Sequence, residues 1–291
     1  MSGRVPRLVL SILSLDLPVR ASRDRLLEMT GRFRESESLA VGLVKALDAG
    51  AEAVCAVPSA PMRGALAALK KPLPVLARLP LTPPALDLRD DHWLLREPRE
   101  RSEGRFPFEG AAARVAMLPA ALTGDLSARV ADRIDHEAGA WPSRSRAGLL
   151  LCAPITDLVL AAGNAKGLER LLRYGRSRFG IMGFETRNPG WLLARLYDWG
   201  IEPDFVMAPI DPFGTSMTPD APFTLAQLSR AGQRVIASEV RGGGVTALDE
   251  GARFALDRGA WGLSADLVEM SDLSGELRSL ARLLAERGAG A

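Results

Sequence analysis

Residues 179–200, FGIMGFETRNPGWLLARLYDWG, contain one complete strand–helix unit. The apolar run 179–184 predicts a buried strand, and apolar residues at helical spacing over 191–197 predict an amphipathic helix that stops at Gly200. A strand without polar alternation is typical of a parallel sheet that helices cover on both faces. This stretch therefore predicts an α/β protein.

The same unit recurs along the second half of the chain. Acidic residues that follow four successive predicted strands are separated by 26, 28 and 30 residues; they are Glu185, Asp211, Glu239 and Glu269. An interval of this length accommodates one strand and one helix. Residues 149–286 therefore predict five consecutive βα units, and the helix of the first unit, which includes residues 168–174, is predicted to end at Gly175.

Three further apolar runs in the first half bring the number of predicted strands to eight. The predicted strands cover residues 8–15, 53–57, 74–79, 149–154, 179–184, 205–209, 235–238 and 263–268. Eight such units predict a (β/α)8 TIM barrel that occupies residues 1–291 as a single domain, although a doubly wound open sheet gives much the same pattern over the first half.

Residues 82–146 interrupt this rhythm between the third and fourth predicted strands. The segment 89–104 is charged and contains proline, which predicts a solvated loop. An insertion of this length is either an ordered lid over one mouth of the barrel or a floppy segment, and the sequence favours neither.

The composition restricts the partners. With 37 basic residues against 35 acidic ones and 5% aromatic residues, the chain lacks the features of a nucleic-acid-binding protein. Cys55 and Cys152 have neither disulfide nor zinc-site spacing, which predicts a cytoplasmic protein. No apolar run approaches the roughly 20 residues needed to cross a membrane. The expected partner is therefore a small molecule, and the oligomeric state is left open.

Three motifs resemble those of the aldo-keto reductases. Residues 183–189, GFETRNP, resemble the family's GVSxxNP turn, and residues 209–212, PIDP, resemble its PYNP turn. Residues 235–244, VIASEVRGGG, resemble its VIAMKxxGGG motif. The resemblance covers roughly half of the chain, from residue 149 onward. It implies an aldo-keto reductase-like barrel with NADP at the carboxyl-terminal mouth.

The residues that carry the family's chemistry do not match. Carbonyl reduction there uses a Tyr proton donor tuned by Lys and Asp, with a His that orients the substrate. Here Tyr174 and Tyr197 fall in predicted helices, and Arg78, which cannot transfer a proton near neutral pH, replaces the Lys. The strand 53–58 lacks the Asp, and the His position falls near Cys152. We therefore expect that the redox tetrad has been lost.

The resemblance also assigns cofactor contacts, and these differ as well. Ile210 stands where the family stacks a Tyr on nicotinamide, and Glu185 stands where a Ser binds its amide. Residues 276–280 replace the family's contacts near adenine. NADP is thus expected only because of the family resemblance.

Acidic residues after the predicted strands offer a different chemistry. Active sites of (β/α)8 barrels lie at the carboxyl ends of the strands. Glu185, Asp211 and Glu239 are therefore candidate acid–base residues, and together with Glu269 they are an alternative set of ligands for a divalent cation. Equally, these carboxylates could form salt bridges with neighbouring arginines.

Basic residues and a glycine run are candidates for binding an anionic ligand. The candidate residues are Arg78, Arg187, Arg241, Gly242, Gly243 and Gly244. Backbone amides of a glycine run before a helix bind phosphate or carboxylate groups in many barrels, although the run is equally compatible with a tight βα turn.

Three functions remain compatible with these residues. The first is a barrel that binds a small anionic metabolite and catalyses non-redox acid–base chemistry, as a lyase, isomerase or cyclase. The second is an NADP-dependent oxidoreductase with an atypical proton donor. The third is a non-catalytic partner protein whose mouth is covered by residues 82–146.

Overall fold

The computed structural model of this chain describes residues 4–12, 23–79, 134–135, 138–230 and 232–288. Eight parallel strands form a closed barrel in which each strand is hydrogen-bonded to the next and the last is hydrogen-bonded to the first. The prediction of a (β/α)8 barrel is therefore confirmed, and the open-sheet alternative is wrong.

Each strand is short and buried. The strands are β1 (Leu8–Ser11), β2 (Ala53–Ala56), β3 (Val75–Arg78), β4 (Arg146–Leu151), β5 (Met182–Glu185), β6 (Phe205–Pro209), β7 (Val235–Ser238) and β8 (Gly262–Asp266). The pairing of β1 with β8 places Ser11 beside Asp266 at the carboxyl ends of both strands.

The described helices pack around this barrel. They are α1 (Arg23–Arg32), α2 (Ser36–Asp48), α3 (Ala60–Ala68), α4 (Ala153–Ala161), α5 (Ala165–Phe179), α6 (Pro189–Trp199), α7 (Ala221–Arg230), α8 (Leu248–Asp257) and α9 (Leu273–Gly288). A 3-10 turn, Leu267–Glu269, connects β8 to α9. Within the described ranges, none of the helices combines the length and apolar character needed to cross a membrane.

The barrel interior has an apolar centre and a polar upper layer. Val9, Leu76, Phe205 and Ile236 belong to one buried apolar cluster inside the barrel. Because side chains alternate along a strand, the next inward residue toward the carboxyl end lies two positions later. These positions hold mostly polar residues, so the last inward layer forms the wall of a site.

Gly175 accounts for a difference between the predicted and observed elements. The sequence predicts that a helix ends at this residue, but α5 continues to Phe179 and ends at Gly180, which has a φ of +82°. A Cβ at Gly175 would lie 2.1 Å from the Sδ atom of Met182, so this glycine allows α5 to pack closely on β5. The predicted strand 179–184 consequently starts at Met182.

The insertion 82–146 lies mostly outside the described residues. Its solvated loop at 89–104 and its role as a lid or a floppy segment stay predictions. At its end, β4 starts at Arg146, three residues earlier than the sequence indicates. The insertion therefore lies between β3 and β4, as predicted.

Candidate functional site

A cavity of about 90 Å³ lies at the carboxyl-terminal mouth of the barrel. Most of its wall is the last inward layer of the strands, completed by residues of the loops that follow β5, β7 and β8. The described lining residues are Ser11, Arg78, Glu185, Arg187, Met207, Ser238, Glu239, Ser264, Asp266 and Glu269. Five of the predicted site residues are thus brought together: Arg78, Glu185, Arg187, Glu239 and Glu269.

Arg78 and Glu185 form a buried ion pair on one side of the cavity. The Nε and Nη2 atoms of Arg78 donate to Oε2 of Glu185 at 2.8 and 2.7 Å. The backbone amide of Ala153 donates to the same oxygen at 3.0 Å. The neighbouring carboxylate raises the pKa of Arg78 although burial acts in the opposite direction. Within the described residues, Oε1 of Glu185 has no protein donor, so it can accept a hydrogen bond from a ligand.

The two cysteines lie close to this pair and are buried. Burial raises the pKa of the Cys152 thiol to about 11 and raises that of Cys55 even further. Both groups are thus thiols, not thiolates, at neutral pH, and the thiolate is the nucleophilic form. The structure supports a packing role for both cysteines.

Arg187 and Glu239 form a second ion pair at the opening of the cavity. Nη1 of Arg187 donates to Oε1 of Glu239, and Oγ of Ser216 lies 3.5 Å from Oε2. The side chain of Arg187 is 45% exposed and that of Glu239 is 17% exposed. A guanidinium has five N–H donors, so Arg187 can bind Glu239 and an anionic ligand together.

The backbone at Glu239 is unusual. Its φ of 51° lies in the left-handed region, which is rare for residues other than glycine and is typical of functional sites. Glu239 is the first residue after β7, so regular strand geometry would point its side chain away from the interior. The left-handed turn brings the carboxylate to the cavity instead.

Arg187 is held in place by a carboxylate from α4. The backbone amide of Arg187 donates to Oδ2 of Asp157 at 3.0 Å, and Oγ1 of Thr186 donates to Oδ1 at 2.5 Å. Burial raises the pKa of Asp157, while these two hydrogen bonds lower it. Asp157 therefore fixes the loop that positions Arg187.

Ser11 and Asp266 form the part of the site where the barrel closes. Oγ of Ser11 donates to Oδ2 of Asp266 at 3.0 Å, and the amide of Val268 donates to Oδ1 at 3.0 Å. These two residues, with Ser238 and Ser264, were not identified from the sequence. The signal that could have found them is the inward alternation that continues beyond Val9 and Ile236.

Asp211 does not line the cavity. It is 1% exposed, and its Oδ1 accepts hydrogen bonds from the amides of Phe213 and Thr215 at 2.9 and 3.2 Å. Its side chain thus shapes the loop between β6 and α7. Unlike Glu185 and Glu239, this predicted acid–base residue is directed into its own loop.

Arg241 and the glycine run are largely engaged within their own loop. Arg241 donates to the carbonyl oxygens of Thr246 and Glu269. The amide of Gly242 donates to the Glu239 carbonyl, and that of Gly244 donates to the Arg241 carbonyl. The amides of Gly242 and Gly244 thus form a tight turn, which was the alternative to anion binding. An anion-binding role of the Gly243 amide stays a prediction.

The four strand-end acids do not all meet at the mouth. Glu269 lines the cavity with Glu185 and Glu239, whereas Asp211 does not. Among the residues that the structure describes, no group of three or more His, Cys, Asp or Glu side chains is arranged to hold a metal ion. The lining residues include two arginines and four carboxylates, which gives a formal charge of −2.

The residues that the resemblance assigns to NADP binding are buried or are bonded to other residues of the protein. Ile210 is completely buried, so it has no face on which a nicotinamide ring could stack. Glu276 accepts hydrogen bonds from the amides of Ser271 and Asp272 at the start of α9. Glu185 is paired with Arg78. These residues do not fit the cofactor contacts that the resemblance implies.

Both tyrosines of the chain lie on helices outside the barrel. Tyr174, on α5, donates a hydrogen bond to Asp135 at 2.6 Å, which raises its pKa. Tyr197, on α6, is 51% exposed and lies under the guanidinium of Arg230 at 4.1 Å. Neither lines the mouth cavity.

Comparisons with known proteins agree with this architecture. No family model and no curated protein matches the sequence. Two solved structures from Pseudomonas aeruginosa, each described as that of an aldo-keto reductase, are similar to the chain. Both are 12% identical to this chain in sequence. The first has a TM-score of 0.57, and the alignment covers 97% of this chain and 95% of the other. The second has a TM-score of 0.56, and the alignment covers 96% of this chain and 91% of the other. At this identity the similarity concerns the fold, and the chain accordingly has the aldo-keto reductase-like (β/α)8 barrel fold.

Proposed function

We propose that the carboxyl-terminal mouth binds a small anionic metabolite and catalyses non-redox acid–base chemistry on it. The observation that carries this proposal is the convergence of the Arg78–Glu185 and Arg187–Glu239 pairs on one cavity. Such a combination suits a lyase, an isomerase or a cyclase that acts on an anionic substrate, because the cation binds the anion and the carboxylate accepts a proton.

The charge of the mouth narrows the ligand. Four carboxylates and two guanidinium groups disfavour a polyanion, because the described lining residues carry a formal charge of −2. A ligand with one anionic group and several hydroxyl or amine donors satisfies both kinds of side chain. Arg187 would bind the anionic group, and Glu185 Oε1 and Asp266 would accept hydrogen bonds from the donors.

Glu239 is the proposed general acid–base residue. Its carboxylate is at the opening of the cavity, is partly accessible and is oriented by Arg187. It would remove a proton from the carbon next to the carbonyl or carboxylate of the ligand and return it to the product. We expect this reaction to take place in the cytoplasm, where Cys55 and Cys152 stay reduced.

Loss of the family's redox chemistry is part of this proposal. The engagement of Ile210, Glu185 and Glu276 in the fold supports it, as do the outward positions of Tyr174 and Tyr197. We therefore propose that the chain no longer transfers hydride.

The test measures ligand binding by thermal unfolding, with pyruvate, glycerate, serine and NADPH as probes. We expect at least one of the three small probes to raise the Tm of the wild-type chain, and we expect NADPH to leave it unchanged. The rise should be lost in Arg187→Gln. It should persist in Glu239→Gln, which leaves the cation that binds the ligand in place. It should also persist in Arg195→Gln, a control that breaks an exposed ion pair with Asp198 on α6.

A second measurement tests the chemistry. Proton NMR in D2O follows the exchange of C–H protons next to the carbonyl or carboxylate of the probe that binds. Exchange by the wild-type chain but not by Glu239→Gln is expected. An NADPH-dependent rise in Tm that is lost in Arg187→Gln would instead favour the oxidoreductase. Isolation of the chain with a protein partner, without a response to any probe, would favour the non-catalytic function.

A further inference from the structure

A second cavity, of about 410 Å³, lies outside the barrel. Its walls are α1 and α2 on one side and the connection from β8 to α9 on the other. Pockets that bind small molecules have volumes of about 300–1,000 Å³. This cavity is therefore large enough for a small organic ligand, and it is separate from the mouth.

The floor of the cavity is apolar. Met29, Phe33, Leu267 and Met270 line it, and each is at most 5% exposed. Gly42 permits this arrangement, because a Cβ at that position would lie 2.7 Å from the Cε1 atom of Phe33. The floor can therefore hold a short alkyl chain or a small ring.

The rim of the cavity is cationic. The guanidinium of Arg32 lies 5.3 Å from the centroid of the Phe33 ring, and Lys45 stands on the neighbouring helix. Neither forms an ion pair with a carboxylate in the described ranges of the chain. Asp272 is the acidic residue among the described lining residues, and its Oδ1 accepts a hydrogen bond from the amide of Gly275. The rim thus carries a formal charge of +1 above an apolar floor.

We propose that this cavity binds a small amphipathic anion, a carboxylate attached to an apolar chain or ring. The carboxylate would contact Arg32 and Lys45, and the apolar part would lie on Phe33 and Met270. Two independent features of the described lining match the two parts of such a ligand: cations that form no ion pair with a described carboxylate, and buried apolar side chains.

The cavity shares a wall with the mouth. Leu267, in the 3-10 turn after β8, and Met270, directly after that turn, line the second cavity. Asp266, the last residue of β8, and Glu269, the last residue of the turn, line the mouth. The inference does not depend on the proposed function, because none of the described residues lines both cavities.

The test uses sodium octanoate and the full-length chain with ¹³C-labelled methionine methyl groups. We expect octanoate to shift the methyl signals of Met29 and Met270, which line the cavity. The signal of Met207 reports on the mouth, and that of Met62 reports on a buried site elsewhere. Both should stay in place. The uncharged probe 1-octanol should bind more weakly than octanoate.

Variants test the role of the rim. Arg32→Glu/Lys45→Glu should weaken octanoate binding by at least about fivefold, because two attractive contacts become repulsive. Lys70→Glu/Lys166→Glu makes the same change in net charge outside the cavity and should leave the affinity unchanged. Absence of shifts at Met29 and Met270, a shift at Met207 alone, or equal affinity for octanoate and octanol would each overturn the proposal. Equal octanoate affinity in the two double variants would do the same.

Discussion

The replacement of Arg78 by Met tests whether a buried ion pair holds one side of the mouth. Arg78→Met removes both donors that reach Glu185 Oε2 and leaves that oxygen with the Ala153 amide alone. The two side chains are 10% and 15% exposed, so little water can replace the guanidinium. Removal of one partner of a buried pair costs about 3–5 kcal/mol. Because some exposure remains, we expect a loss at the lower end, about 3 kcal/mol.

The double variant Arg78→Met/Glu185→Leu separates the ion pair from simple packing. It removes the uncompensated carboxylate together with its partner, and replacement of a buried pair by apolar residues is often close to neutral. We therefore expect the double variant to be more stable than Arg78→Met alone. This order of stability is opposite to the one that two independent packing losses would give.

The stability of each variant is measured by urea unfolding, followed by far-UV circular dichroism. The slope of the free energy of unfolding against urea concentration should be the same in the variants and the wild type, which checks two-state behaviour. Arg173→Met is the matched control, because Arg173 and Glu169 form an ion pair with side chains that are 78% and 57% exposed. Exposed pairs contribute about 0–1 kcal/mol. If Arg78→Met costs no more than Arg173→Met, the pair is not buried as described and the reasoning fails.

Three further predictions concern stability. Glu239→Gly should be more stable than Glu239→Ala by about 1 kcal/mol, because the φ of 51° disfavours residues with a Cβ; the opposite order in urea unfolding would contradict a left-handed backbone. Gly175→Ala should lower the free energy of unfolding by about 1–3 kcal/mol, because the added Cβ collides with Met182. Gly31→Ala, in α1, should raise it by about 0.5–1 kcal/mol, because no atom lies within 4 Å of the added Cβ. Equal shifts of Tm in the two variants would argue against the close packing of α5 on β5. Burial raises the pKa of Cys152 from 9.0 to about 11, so the free energy of unfolding should fall by about 3 kcal/mol as the pH rises from 9 to 11. Below pH 9 the stabilising contribution of the thiol is complete. Cys152→Ala should lessen the fall at alkaline pH, and an unchanged pH dependence would contradict the buried thiol.

The sequence predicts the barrel well because the same strand–helix pattern recurs along the chain. Repeated apolar runs separated by helical periods give the same answer in many places, and a single error such as the helix end at Gly175 does not change the topology. That error arose because glycine also occurs where a helix needs to approach a strand closely. The contact of Gly175 with Met182 depends on tertiary packing, which spacing in the sequence does not reveal.

The site is less predictable because it depends on side-chain direction at strand ends. Glu185 is the last residue of β5, so the regular alternation that follows Gly183 directs it inward. Asp211 lies two residues beyond the end of β6, where alternation no longer applies, and the amides of its own loop bind it. Glu239 reaches the cavity through a left-handed turn. All three acids can be identified from the sequence, but the backbone turns that direct their side chains differently cannot be predicted from it.

The polar layer at the mouth also joins the strands of the barrel. Arg78 and Glu185 connect β3 and β5, and the amide of Ala153, the first residue of α4, donates to the same carboxylate. Ser11 and Asp266 join the first and last strands. Substitutions in this layer will therefore change stability as well as ligand binding, so a loss of activity alone cannot assign a role to these residues. Glu239 is the informative exception, because Glu239→Gln removes the charge but keeps the shape of the side chain, and a selective loss of proton exchange in a folded chain would separate chemistry from support.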